Sequence, residues 1–299
     1  MRSPRATCYG RSMRDRIQSL LSPSSISLTT GVFDPLSAMI AERAGFEAVM
    51  LSGYSVAGSY LGKPDFGLLT QSEMIDVARR TVAATKMAVL VDGDTGGGGA
   101  LNVMRLVEEL ASMGAAGVFL EDQKWPKRCG HMRDKVVVSA EEHAEKISAA
   151  KQARSDRPFV IVGRTDARAP LGLEEAIRRG NAYREAGADI VFIEAPQSID
   201  ELRTIRSEIS GPLLANMVEG GKTPLLSASE LAELGFEIVV FPVTGILAVA
   251  RALETAFTRL RSDGTSAAVS DALMGFDEFG TLVGLNEAYT VDERFGRTR

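Results

Sequence analysis

Apolar residues along the chain are gathered into short continuous runs, and one phrase around such runs recurs. Ala44-Gly45-Phe46-Glu47-Ala48-Val49-Met50-Leu51 is echoed by Met113-Gly114-Ala115-Ala116-Gly117-Val118-Phe119-Leu120. It returns as Ala186-Gly187-Ala188-Asp189-Ile190-Val191-Phe192-Ile193 and as Leu234-Gly235-Phe236-Glu237-Ile238-Val239-Val240-Phe241. Each copy reads as a helix stopped by glycine, then a strand. Glycine suits the left-handed position that closes a helix, and an unbroken apolar run suits a strand covered on both faces. Helix starts are marked by Thr70/Glu73, Ser139/Glu142, Ser198/Glu201 and Ser227/Glu230, each spaced for a capping box. Asp34-Pro35 fits an N-cap followed by proline at the first helical position.

These signals predict eight strands, at 26–31, 48–52, 87–92, 117–121, 159–164, 190–194, 212–216 and 237–242. Helices are expected at 35–44, 71–85, 100–113, 140–153, 173–186, 199–208, 228–234 and 245–261. Eight strand–helix units point to an α/β fold, a (β/α)8 TIM barrel. The rival, a doubly wound open sheet, is disfavoured because no GxGxxG follows the first strand. Residues 11–22 read as an extra N-terminal helix. The expected organisation is a disordered tail over 1–12, a barrel over 13–265 and a C-terminal helical extension over 266–299. In that extension Phe276, Phe279, Leu282 and Leu285 need something to cover them.

Composition narrows the function classes. The net charge of −5 argues against a nucleic-acid-binding face. No apolar run is long enough to span a membrane, and the basic N-terminus lacks the apolar stretch of a secretory signal. Two cysteines, Cys8 and Cys129, cannot make a disulfide framework. A reducing, cytoplasmic setting is expected.

In a (β/α)8 barrel the chemistry lies where the strands end. Here the strands end in Ser52-Gly53, Asp92-Gly93-Asp94, Glu121-Asp122, Arg164-Thr165-Asp166, Glu194 and Asn216. Solvated loops explain one or two polar ends. They explain poorly a carboxylate that closes a strongly apolar run, such as Glu121 or Glu194, since a charge among apolar neighbours is costly unless paired or metal-bound. Asp92, Asp94, Glu121 and Asp65 would repel one another without a cation among them. Their hard oxygens select Mg²⁺ or Mn²⁺. Arg164 offers a planar donor fork for a substrate carboxylate or phosphonate.

Residues 124–138 form a long basic loop after the fourth strand. Such a loop could close over an anionic substrate and exclude water. Cys129 stands among Lys127, Arg128 and His131, a setting expected to lower its pKa. That thiol could act as general acid or base, or the segment could be a plain surface loop. A zinc site is disfavoured, because four ligands are needed and the chain has two Cys and two His. His143 is read as a surface residue of a helix, and Trp125 as an apolar anchor for the loop.

Several of these segments also resemble a known family. Lys127-Arg128-Cys129-Gly130-His131 resembles the Lys-Lys-Cys-Gly-His signature of the isocitrate lyase/phosphoenolpyruvate mutase superfamily. Asp92-Gly93-Asp94-Thr95-Gly96, Gly62-Lys63-Pro64-Asp65-Phe66-Gly67, Arg164-Thr165-Asp166-Ala167 and the block from Asn216 to Pro224 are similar to its other motifs. The resemblance runs from about residue 13 to 295. It implies a (β/α)8 barrel whose last helix is swapped between subunits of a homotetramer. It implies Mg²⁺ bound directly by Asp92, with Asp65, Asp94 and Glu121 holding its waters. It places Ser52, Gly53, Arg164, Glu194 and Asn216 around a small anionic α-keto acid moiety, with Gly130 beside them. It gives Cys129 the role of general acid, with His131 and Lys127 as its catalytic neighbours. Two departures bear on the substrate. Met50 stands where the lyases usually carry tyrosine, which transfers that role to Tyr54 or removes it, and Gly97 replaces an aromatic. The leading expectation is a C–C lyase acting on a branched 2-hydroxy di- or tricarboxylate of the dimethylmalate or methylisocitrate type. A P–C bond-forming mutase, an oxaloacetate hydrolase and a non-catalytic scaffold are the alternatives.

Overall fold

The computed structural model describes residues 12–21 and 26–296. Cys8 and the rest of the tail up to residue 11 lie outside the described residues. Eight strands pair in parallel, each with the next in sequence: β1 (Ser27–Val32), β2 (Ala48–Leu51), β3 (Ala88–Asp92), β4 (Gly117–Glu121), β5 (Val160–Thr165), β6 (Ile190–Ile193), β7 (Leu213–Asn216) and β8 (Ile238–Phe241). β8 returns to β1, with Ser27 opposite Ile238, and the barrel closes. Every strand lies within a residue of its expected place.

The helices are α1 (Met13–Leu20), α2 (Pro35–Ala44), α3 (Gly53–Val56), α4 (Gln71–Ala84), α5 (Ala100–Ser112), α6 (Ala140–Arg154), α7 (Arg168–Leu171), α8 (Leu173–Ala186), α9 (Ile199–Glu208) and α10 (Ala228–Glu233). Then come α11 (Thr244–Asp263), α12 (Phe276–Leu282) and α13 (Leu285–Phe295). The punctuation behaves as the sequence implies. Gly45, Gly114, Gly187 and Gly235 all take positive φ, between 89° and 117°, a region a Cβ disfavours. Thr70/Glu73 and Ser227/Glu230 form reciprocal capping boxes. Ser139 and Ser198 cap from one side only, because Glu142 reaches Lys146 and Glu201 is drawn to Arg168.

Alternation along the strands builds two apolar layers. One set of side chains, including Met50, Leu90, Phe119, Val162, Phe192 and Val240, fills the barrel interior, and α1 closes its lower end through Leu20. The other set packs outward under the helices: Val49, Val91, Leu120 and Ile161 meet Met74, Leu106 and Ile147, while Ile193 and Val239 meet Leu202 and Leu231. His143 on α6 is fully buried, which corrects its reading as a surface residue. Its Nε2 meets the Leu120 carbonyl at 3.2 Å, and its ring stacks edge-on to Tyr183. Burial holds its pKa down at about 4.

The chain divides into two compact units, one through Ile246 and one from Leu247 onward. The second carries the rest of α11 with α12 and α13, and many of its large apolar side chains are exposed, among them Leu253, Phe257, Leu260, Phe276 and Tyr289. No helix among the described residues is long and apolar enough to cross a membrane.

Closure of the barrel leaves no space at one seam. A Cβ on Gly31 of β1 would stand 1.9 Å from the Pro242 carbonyl oxygen just beyond β8. The Cβ is fixed by its own Cα and the oxygen belongs to the backbone, so neither can swing aside. We expect Gly31→Ala to destabilise the protein by about 1–3 kcal/mol, as overpacking does. Thermal unfolding followed by circular dichroism reads this, and an unchanged midpoint would contradict it.

Candidate active site

Parallel pairing carries the ends of all eight strands to one rim, and the polar side chains collect there. Asp92 ends β3 and accepts the amides of Gly53 (3.1 Å) and Asp94 (3.2 Å). Gly53 opens α3, whose N-cap is Ser52; a side chain at 53 would meet Asp92 Oδ2 at 2.8 Å. Asp94 is held at φ 48°, a conformation costly for a residue with a Cβ, and such strain persists only where surroundings enforce it. Asp65 lies in the loop before α4 and is buried. Glu121 ends β4, with 2% of its surface exposed.

Arg164 on β5 ties the acidic groups together. Its Nε and Nη2 donate to Asp166 at 2.9 and 3.1 Å. Nη2 also meets Glu194 at 3.1 Å, and Nη1 meets Glu121 at 3.3 Å. Its guanidinium lies over the Phe192 ring. Asn216 at the end of β7 donates to Glu194. Tyr54 is half-buried on α3 and enters none of these contacts among the described residues.

The 124–138 loop is folded down onto this rim. Lys127, 3% exposed, places Nζ 2.6 Å from both Asp65 and Asp94. The Cys129 amide donates to the Asp65 carbonyl. Gly130 sits so close to Glu194 that a Cβ would approach its carboxylate to 2.4 Å. His131 Nδ1 accepts the Lys222 amide at 3.0 Å, which leaves the ring proton on Nε2, 3.2 Å from Glu194. The loop is also stitched internally, with the Gln123 side chain bonded to both the amide and carbonyl of Arg128. Trp125 is half-exposed, and its ring edge lies close to Gly67.

Burial dominates the electrostatics. It raises Asp94 to about 7 against the pull of Lys127, and it pushes Glu121 well above the usual carboxylate range despite Arg164. Glu194 behaves oppositely: burial would raise it, but Arg164 and then His131 hold it well below its ordinary value. Lys127 would be lowered by burial, yet Asp94 and Asp65 keep it firmly charged. The thiol of Cys129 is not activated. Burial first, with help from Asp65 and Glu194, pushes it up to about 11. This corrects the sequence expectation of a lowered pKa. The basic side chains beside Cys129 in sequence are spent on other partners: Lys127 on Asp65 and Asp94, His131 on Glu194, and Arg128 on Asp134 and the Arg133 carbonyl.

The donor set suits a hard divalent cation. Asp65, Asp92, Asp94 and Glu121 offer only oxygen, and Glu121 Oε1 is buried with no hydrogen-bond partner among the described residues. No three of the described His, Cys, Asp or Glu side chains converge tightly enough to grip an ion alone. An ion here would therefore keep several waters, as Mg²⁺ does.

Two supporting elements escaped the sequence reading. Asp122 is fully buried behind the rim and accepts from Thr165 Oγ1, the Asp166 amide, Arg179 and Tyr183. Lys135 reaches back from the far end of the loop to the Gly130 carbonyl and Asp166. Glu121-Asp122 reads as one acidic strand end, and only the alternation of a strand, which sends neighbours to opposite faces, separates the two roles.

The thiol assignment has a direct check. Carbamidomethylation of Cys129 by iodoacetamide, followed by peptide mass analysis, should accelerate with pH toward an inflection near 11. An inflection below 8 would show that the thiol is activated after all.

Comparison with known proteins places the chain. The family model described as phosphoenolpyruvate phosphomutase matches residues 17–261. The petal death protein of Dianthus caryophyllus is 52% identical over 90% of this chain and 85% of its own. The chloroplastic carboxyvinyl-carboxyphosphonate phosphorylmutase of Arabidopsis thaliana is 46% identical over 96% and 86%. The 2,3-dimethylmalate lyase of Eubacterium barkeri is 44% identical over 95% and 98%. Among solved structures, a 2,3-dimethylmalate lyase superposes with a TM-score of 0.89 at 35% identity, covering 95% of both chains. An oxaloacetate acetylhydrolase in complex with 3,3-difluorooxalacetate gives 0.90 at 33%, covering 96% and 98%. A phosphonopyruvate hydrolase in complex with oxalate and Mg²⁺ gives 0.85 at 31%, covering 95% and 99%. With the family model spanning most of the barrel and these relatives matching nearly end to end, the chain belongs to the phosphoenolpyruvate phosphomutase family, within the isocitrate lyase/phosphoenolpyruvate mutase superfamily.

Proposed function

We propose that this enzyme is a Mg²⁺-dependent carbon–carbon lyase that cleaves a branched 2-hydroxy di- or tricarboxylate into an α-keto acid and a second carboxylate. The observation that carries the reading is the seating of the Cys129-Gly130-His131 turn on Asp65 and Glu194, which brings a protonated thiol to the rim. Cleavage beside a hydroxyl-bearing carbon leaves an enolate-like carbanion that must be protonated. A thiol with its pKa raised keeps its proton at neutral pH and yields it only to a stronger base, which suits a general acid.

Asp92 would hold the ion directly, with Asp65, Asp94 and Glu121 on its waters, and Mn²⁺ could replace it. When bound, the ion would supply positive charge to oxygens of the forming α-keto acid. Arg164 supplies a second, fixed charge at the same rim, and preorganised charge in a dry site is the largest single aid to such reactions. Ser52 and Gly53, with Glu194 and Asn216, border the α-keto acid moiety, the Gly53 amide holding Asp92 in place. The folded loop, acting as a lid, excludes water while Lys127 and His131 anchor it on either side of the thiol. The proposed enzyme is cytoplasmic. It works as a homotetramer in which a second copy covers the apolar side chains of the unit from Leu247 onward, and an exposed apolar surface of that extent marks an interface.

The purified enzyme incubated with Mg²⁺ and 2,3-dimethylmalate, 2-methylisocitrate, oxaloacetate or phosphonates, with products followed by NMR, should release an α-keto acid from a 2-hydroxy acid and lose that activity in EDTA. Turnover of a phosphonate alone would replace the lyase by a mutase, and oxalate with acetate would replace it by a hydrolase. Cys129→Ala should lower kcat by about 10²–10⁴-fold with little change in KM; full activity would remove the thiol from the mechanism. Light scattering should give a mass of about four chains, and a monomer would overturn the proposed assembly.

A further inference from the structure

The rim contains a buried lysine that the proposed chemistry does not use. Lys135 stands at the far end of the 124–138 loop, and only 1% of its side chain is exposed. Its Nζ donates to the Gly130 carbonyl at 2.5 Å and to Asp166 Oδ1 at 2.7 Å. Asp166 is wholly buried and is the same carboxylate that takes the Nε and Nη2 donors of Arg164. One ammonium therefore bridges the turn that carries Cys129 and the group that sets the plane of the arginine fork.

Placing an ammonium there is costly, since desolvation of a charge must be repaid by good partners. A solvated loop has no need of it. The other anchors of the loop differ in kind. Lys127 holds Asp65 and Asp94, and His131 holds Glu194. Those carboxylates belong to the rim itself, so the contacts must adjust when ion and substrate arrive. Asp166 sits behind Arg164, with its amide bonded to the Asp122 carboxylate beneath. The Lys135 contact can persist with or without ligand.

We infer that Lys135 is a positioning residue that holds the Cys129-Gly130-His131 turn over the mouth and, through Asp166, fixes the orientation of Arg164. The loop is thereby kept down before substrate binds, and its closure is tied mechanically to the readiness of the arginine. This rests on the reading of the 124–138 loop as an active-site lid.

The test uses the full-length protein and needs no substrate for its first arm. Trypsin can cut the lid after Lys124, Lys127, Arg128 and Arg133, which every variant keeps, and cleavage is scored at these sites alone because the substitutions alter the site at Lys135. Lys135→Met keeps an unbranched apolar stem one atom shorter and removes the charge, and Lys135→Arg keeps the charge. Arg154→Met serves as control, because it breaks the distant Arg154–Asp189 pair. Lid cleavage, mapped by mass spectrometry, should rise at least tenfold in Lys135→Met relative to both wild type and the control, and Lys135→Arg should restore most of the protection. In turnover, Lys135→Met should lower kcat at least tenfold with KM changed less than threefold. Cleavage no faster than in Arg154→Met, or no rescue by arginine, overturns the proposal. Should Lys135→Met fail to fold, hydrogen exchange on the wild-type protein decides: amides of 129–133 protected at least tenfold without ligand support the latch, and free-peptide rates overturn it. Absence of turnover on every substrate would sink the lyase reading but leave the protease and exchange results standing.

Discussion

The governing constraint is charge balance in a space that water cannot reach. Asp65, Asp92, Asp94, Glu121, Asp166 and Glu194 converge on one rim, against the fixed cations Lys127, Lys135 and Arg164. Buried charges survive only when paired, and here the anions outnumber the cations. The shortfall falls unevenly. Glu194 and Asp166 lie against Arg164 and stay ionised. Asp94 and Glu121, nearer the acidic centre, are pushed toward protonation by burial. A divalent cation at that centre would release those protons and leave a rim able to accept an anionic substrate. Arg164 thus balances Asp166 and Glu194 on one side, while the carboxylates around Asp94 make the other side the oxygen-rich end suited to a cation.

The barrel is what makes such crowding affordable in structural terms. Strands pointing the same way bring acidic termini from β3, β4, β5 and β6 to one rim while the apolar layers beneath stay intact. The charges are then supported from behind. Asp122, next to Glu121, points away from the mouth and gathers Thr165, the Asp166 amide, Arg179 and Tyr183. It locks the end of β5, and hence Arg164, from the outer side, while Lys135 locks Asp166 from the lid side. Such locked supports separate a preorganised site from a collection of charges.

Most of the architecture was legible because it is written locally. Helix-stopping glycines, hydroxyl caps and continuous apolar runs each act over a few residues, and the barrel follows from repeating them. The rim was legible for the same reason: a carboxylate closing Val-Phe-Leu or Val-Phe-Ile is locally improbable. What escaped was whatever depends on which distant group a side chain meets. Cys129 reads as electropositive when its sequence neighbours are counted, but Lys127 and His131 are claimed by acids from other loops. His143 reads as a surface residue because α6 is polar around it, yet it backs onto Leu120 and Tyr183. Lys135 reads as one more cation of a basic loop, although its partner lies on the next strand unit. The apolar side chains of α12 and α13 are visible in sequence as a need for cover, but sequence does not say what provides it.

The lid's charge and the thiol's acidity are two faces of the same event. With the loop folded down, Lys127 completes part of the acidic centre's neutralisation, so closure is favoured by the very deficit that burial creates. Being buried, that attraction is little screened by salt. The same movement strips water from Cys129 and sets it beside Asp65 and Glu194, which raises its pKa. With the loop lifted, water would solvate the thiolate again and the pKa would relax toward its ordinary value. The proton is therefore held most firmly when the loop is down, and under the proposed lyase reading it would be withheld from solvent and reserved for the carbanion. A cysteine tuned downward, as its neighbours in sequence suggest, would be ionised before the bond broke and would have nothing to give.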